Sequence, residues 1–188
     1  MKCEKGFKEE NGKCVKQKKT YCDTNIVTPF VNGGQLRGIF GDEGMNRFGK
    51  TITGGRNIWA ENRLRRVNRC VIDRKTLLSD IDYHKPAMGA VLTSVNLKNI
   101  RVEDIDGLEE GMKVFDLACS IEDKNSMFHK KFCKRNSIKQ IKDLERADLN
   151  DVRHFGSAIK SKSNIFLTAN GKDFRPVIKF SDIKLEGI

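Results

Sequence analysis

Six cysteines constrain this chain more than any other feature: Cys3, Cys14, Cys22, Cys70, Cys119 and Cys133. The count is even and two pairs lie close in sequence, which points to disulfides and to a secreted or extracytoplasmic location. Cys3–Cys14 and Cys119–Cys133 are the expected bridges. The pairing of Cys22 and Cys70 stays open. Met1 is followed at once by Lys2, Cys3, Glu4 and Lys5, which is not a signal peptide. The expectation is therefore a chain whose signal has been removed, or a piece of a longer secreted protein.

Residues 1–22 are polar and Lys-rich and hold three of the six cysteines. Asn11-Gly12 is a hairpin turn signal, because both central residues of a type I′ turn take positive φ. So short a stretch buries no core, and a bridge must hold it. The run Cys3-Glu4-Lys5-Gly6-Phe7, followed by Cys14, resembles the last loop of an epidermal-growth-factor-like module. That family ends in Cys-x-x-Gly-(Phe/Tyr) and a final cysteine. The resemblance implies a larger modular protein. Residues 1–22 are thus expected to be a cysteine-rich appendage, and 23–188 a single domain.

The chain as a whole has the composition of a folded globule, with 38% hydrophobic and 32% charged residues. No apolar run is long enough to span a bilayer. The net charge of +11 attracts polyanions such as nucleic acid, glycans or anionic surfaces.

Periodicity predicts a strand over 26–31, a glycine-rich loop region to 55, and a helix near 58–72 carrying Ala60, Leu64, Val67 and Val71 on one stripe. Strands are expected over 90–99, 100–105 and 112–118, with a turn at 106–111. Ser137 and Gln140 form a capping box that opens a helical pair over 137–160, whose second member buries Leu149, Val152, Phe155 and Ile159. Asn170-Gly171 reads as the turn of a terminal hairpin between 164–168 and 177–185. The sum is an α+β fold, an antiparallel sheet or two β layers packed by about three helices. Residues 95–105 echo 178–188, as two strands with similar one-sided burial would.

Several strings suggest chemistry. Gly44 to Thr51 fits the P-loop pattern but lacks the preceding strand and following helix, so it is read as coincidence. The acids Glu103 to Glu110 around Gly107 do not place calcium ligands correctly and read as a solvated turn. Cys119, His129, Cys133 and Cys70 have zinc-ligand chemistry without zinc spacing, so a disulfide is preferred. No metal and no cofactor is expected.

From Lys124 to Lys142 there are seven Lys or Arg and no Asp or Glu, with Phe128 and Phe132 interleaved. Lys130, Lys131, Lys134 and Arg135, with Arg65, Arg66 and Arg69 on the polar face of the 58–72 helix, are candidates for binding an anionic polymer. The leading expectation is an extracytoplasmic or cell-surface binding module of unknown ligand, with a polyanion as the candidate and without a catalytic residue. The alternative is a secreted cationic nuclease or toxin domain using His129 or His154 as general acid or base.

Overall fold

The computed structural model describes residue 3 and residues 7–16, 18–26, 70–84 and 100–187. Strands β1 (Phe7–Glu10) and β2 (Lys13–Lys16) form an antiparallel hairpin. Asn11 and Gly12 take φ of 51° and 75° at its turn, and Cys3–Cys14 closes it.

Among the described residues the main sheet has five strands, all parallel, in the order β5-β4-β3-β8-β9. They are β3 (Thr20–Cys22), β4 (Cys70–Asp73), β5 (Ile100–Glu103), β8 (Ile165–Thr168) and β9 (Lys184–Gly187). Between them lie α1 (Arg74–His84), α2 (Leu108–Ile121), α3 (Met127–Phe132), a two-residue-strand hairpin β6 (Cys133–Lys134) and β7 (Ser137–Ile138), α4 (Arg146–Lys160) and α5 (Gly171–Ile178). This is an α/β, Rossmann-like arrangement, and it overturns the expected antiparallel sheet or paired β layers. Thr20–Cys22, read as the end of the appendage, is the central strand.

Several readings fail, those of the central strands for a plain physical reason. Buried parallel strands are short apolar runs without alternation, so they carry no period-two signal. Tyr21, Cys22, Cys70, Val71 and Ile72 are fully buried. Val71 therefore sits in a strand, not at the end of a helix; residues 58–69 of that helix lie outside the described residues. Residues 112–118, read as a strand, fall inside α2, where Gly111, Val114, Phe115, Ala118 and Cys119 are buried at helical spacing. Ser137 opens no helix: it pairs with Lys134 in the β6–β7 hairpin. The Asn170-Gly171 turn is the N-terminus of α5, and β8 and β9 are parallel partners joined by that helix. The two echoing segments contain β5 and β9, the outermost of the described strands.

Three disulfides are present: Cys3–Cys14, Cys22–Cys70 and Cys119–Cys133. The second joins adjacent central strands. The third ties α2 to the end of α3, leaving no free thiol there to ligate zinc. Such bridges are compatible with an oxidising compartment.

Helix α4 packs against β3, β4, β8, α1 and α2. It approaches α2 at glycines. A Cβ on Gly156 would lie 1.8 Å from the Gly107 carbonyl oxygen, and one on Gly111 would lie 2.1 Å from that of Val152. Both obstacles are backbone, so neither can swing aside. Gly156→Ala should therefore push the helices apart and destabilise the fold by about 3 kcal/mol, the upper part of the range for overpacking. A urea melt checks this; an unchanged midpoint would mean that the crossing is looser than described.

An aromatic chain fills the space beneath α4. Phe155 packs on Phe166 and Phe174, and Phe115 packs on Phe128, Phe132 and Phe155. Phe128 and Phe132 are therefore core residues, not rings offered to a bound polymer. Asp73 shows a purely structural use of an acid at a strand end. Its carboxylate accepts from the N–H groups of Thr76, Ile105 and Asp106, joining the start of α1 to the loop after β5.

Candidate functional site

From β3 the chain proceeds toward β4 and β5, and from β8 toward β9. The β3/β8 boundary is thus the point where the winding reverses. Ligands of open parallel sheets bind in the crevice outside the carboxyl ends of the strands at this point. Acidic side chains from distant parts of the sequence converge there.

Asp23 follows β3 directly. It is 4% exposed, and its Oδ2 accepts from the Thr168 hydroxyl at 2.7 Å and the Asn25 amide at 2.9 Å. Thr168 ends β8, so Asp23 is held across the switch point. Asp80, on α1, accepts from Thr24 Oγ1 at 2.6 Å, from Asn150 Nδ2 at 2.5 Å and from His154 Nε2 at 2.8 Å. His154 Nε2 also lies 3.6 Å from Asp23 Oδ1, and its Nδ1 is 3.0 Å from the Tyr21 hydroxyl. Asp23, Asp80 and His154 each bring one metal-ligating atom within 4.8 Å of the others. The buried Asn150 Oδ1 has no hydrogen-bond partner among the described residues. A buried amide oxygen without a donor is costly, and it sits on the residue that holds Asp80.

The electrostatics follow from burial. Desolvation raises the Asp23 carboxyl above its ordinary range, the His154 charge opposing it. Burial also opposes charge on Asp80, but hydrogen bonds from His154, Thr24 and Asn150 bring it below the ordinary value. His154 feels burial against its charged form. Its hydrogen bond to Asp80 and the charges of Asp23, Asp80 and Asp151 outweigh that and lift it to about 9. The imidazolium is thus the counter-ion of this pocket.

A second group adjoins it on α4. Asp148, Asp151 and His154 are spaced three apart and share one side of the helix. Lys131 Nζ, from α3, lies 2.8 Å from Asp151, 2.6 Å from Asp173 and 3.3 Å from Asp148. Burial raises the Asp151 carboxyl to about 7, with Lys131 opposing and the charges of Asp23 and Asp173 adding to it.

The structure separates the residues that sequence placed together. Of the basic candidates, Lys131 faces the acids. Lys134 and Arg135 instead line an open groove of about 550 Å³ with Ser137, Ile138, Gln140, Lys142 and Asp143. The Lys130 carbonyl oxygen accepts from Lys139 Nζ. Arg65, Arg66 and Arg69 lie outside the described residues, as does the P-loop-like string. His129 is 7% exposed; its backbone N–H is capped by Ser126, and its Nε2 bonds the Arg135 carbonyl. It serves the local fold, and it is not on one helical face with Cys133, because α3 ends before that residue. Of the two alternative catalytic histidines, only His154 enters the acidic site.

Asp23, Asp80, Asp148, Asp151 and Asp173 were missed by the sequence reading. A signal existed: Asp23 immediately follows a short apolar run, and Asp148, Asp151 and His154 repeat on one helix face. Compared with known protein families, curated proteins and solved structures, the chain matches none.

Proposed function

We propose that the chain is a divalent-cation-dependent hydrolase of phosphodiesters in a nucleic acid, working in an oxidising, extracytoplasmic compartment. The observation that carries this reading is the convergence of the Asp23 and Asp80 carboxylates at the switch point of the sheet, Asp80 being held by Asn150, whose Oδ1 has no hydrogen-bond partner among the described residues. These are hard oxygen donors, the chemistry that suits Mg²⁺ and Mn²⁺. A bound ion would polarise a phosphoryl oxygen and supply a hydroxide at neutral pH. Thr168 and Asn25 orient Asp23, while Thr24 and His154 orient Asp80, as outer partners commonly do for ligating carboxylates. The disulfides and the module-like hairpin of residues 3–14 support the compartment.

The net charge of +11 supports a polyanionic substrate. So does the groove, whose lining includes Lys134, Arg135 and Lys142. Incubation with single-stranded RNA and DNA tests the activity. Cleavage that needs Mg²⁺ or Mn²⁺ and stops with EDTA is the expected result. Binding without cleavage under any divalent ion would return the chain to the polyanion-binding module that its composition first suggests.

Binding has its own expected signature. In EDTA, affinity for a single-stranded oligonucleotide should fall steeply with salt. Replacing Lys134, Arg135 and Lys142 by Gln should reduce the log–log slope by about 2, at roughly 0.7 per phosphate contact. Fluorescence anisotropy over a salt series measures it. An unchanged slope would show that the groove does not carry the polymer.

A further inference from the structure

Lys131 is an unusual occupant for its position. Its ammonium offers three N–H donors, and three carboxylates lie within 3.3 Å of it. Its side chain is only 29% exposed, and Nζ also stands 4.8 Å from the centroid of the Phe132 ring. The segment that delivers it is fixed from several sides. Ser126 caps α3, Cys119–Cys133 ties its end to α2, and Lys139 Nζ bonds the carbonyls of Lys130 and Lys131. A surface lysine pairing casually with acids would not be immobilised in this way.

We infer that the Lys131 ammonium is a built-in cation occupying the second of two adjoining carboxylate positions, so that the centre takes one divalent ion where an open carboxylate cluster would take two. The first position is Asp23 and Asp80, where an arriving ion displaces the His154 imidazolium as counter-charge; the second is Asp148, Asp151 and Asp173. The inference rests on the proposed function for its first position but concerns the second. A lysine here is a fixed charge that never dissociates and that neutralises these carboxylates without metal exchange. It also predicts a specific gain: removing the ammonium leaves three carboxylates with no counter-charge, the donor set of a hard divalent cation.

The test is the number of Mn²⁺ ions bound, counted by calorimetry and read by electron paramagnetic resonance. The intact chain should bind one ion with a mononuclear signal. Lys131→Gln should bind two, and Lys131→Arg, which keeps the charge, should remain at one. Two ions on the intact chain would overturn the inference, as would a folded Lys131→Gln chain that binds no more ions than its parent. Should Lys131→Gln be unfolded without metal, Mn²⁺ should restore its cooperative melt, and failure to do so would also overturn the inference. An intact chain that binds none while Lys131→Gln binds one would sink the hydrolytic reading of Asp23 and Asp80 yet uphold the role of Lys131.

Discussion

Asp23→Asn should abolish metal-dependent cleavage, by at least about 100-fold, without lowering the stability of the fold. The two halves of this expectation have one cause. Asp23 is almost wholly buried and desolvation penalises its charge, so its carboxyl is raised above the ordinary range. An isosteric amide removes that penalty. Its oxygen can still accept from Thr168, although the amide group cannot keep every bond of the carboxylate. Stability should therefore stay within roughly 1 kcal/mol of the parent or rise, as happens where a group is kept for function rather than for the fold. The cation loses a charged ligand, and second-shell changes alone typically cost about 10- to 100-fold in affinity or activity. Asp80→Asn should lose activity in the same way but also lose stability, because it takes the partner from the buried imidazolium. Melts and cleavage rates measured on one preparation separate the two outcomes. A fully active Asp23→Asn chain would remove Asp23 from the site.

His154→Ala should be among the most destabilising single changes in the chain, by roughly 3–5 kcal/mol, the cost of breaking a buried ion pair by removing one partner. The side chain is 1% exposed and binds Tyr21, Thr24 and Asp80 together. Its loss leaves Asp23 and Asp80 buried side by side without a counter-charge. The pH dependence gives a second readout on the metal-free protein. The folded pKa is raised from 6.5 to about 9, so the unfolded state loses its proton first as the pH rises. The stabilisation from His154 is fully present below about pH 6.5, declines as pH rises toward the folded value, and is lost above it. Urea melts in EDTA across about pH 6 to pH 10 should show the gap between the parent and His154→Ala narrowing by roughly 3 kcal/mol. A constant gap would mean that the imidazole is neutral and that its contribution is packing alone.

Much of the peripheral structure was legible in the sequence, because local rules decide it. Asn11-Gly12 fixed a hairpin through backbone conformation alone. Leu149, Val152, Phe155 and Ile159 marked α4, whose one-sided burial is set by neighbours a turn apart. The cysteine spacing gave two of the three bridges. The sheet was not legible, for reasons particular to its strands. Thr20–Cys22 and Cys70–Asp73 are three and four residues long and buried throughout, so neither alternates. Asn170-Gly171 is equally at home in a tight turn and at a helix start, and what decides between them is the parallel partner that Lys184–Gly187 finds on β8.

The acidic site was hidden for a related reason. Asp23, Asp80, Asp151 and Asp173 span most of the chain, and only the reversal of winding between β3 and β8 brings them together. The basic connector, conspicuous in sequence, proved to have divided duties. Phe128 and Phe132 fill the core, Lys131 turns inward to the acids, and Lys134 and Arg135 face the open groove.

The account stands on a divalent cation binding at the switch point, and diffraction from a crystal of the intact chain grown with Mn²⁺ tests it most directly. The expected result is an anomalous difference peak between Asp23 and Asp80, within bonding distance of their carboxylate oxygens. It should be accompanied by the Asn150 Oδ1 either as a ligand or bonded to a coordinated water, and by Lys131 still seated among Asp148, Asp151 and Asp173. An occupied Mn²⁺ elsewhere on the protein with no peak between Asp23 and Asp80 would contradict it. The pocket would then be a buried charge network built around His154.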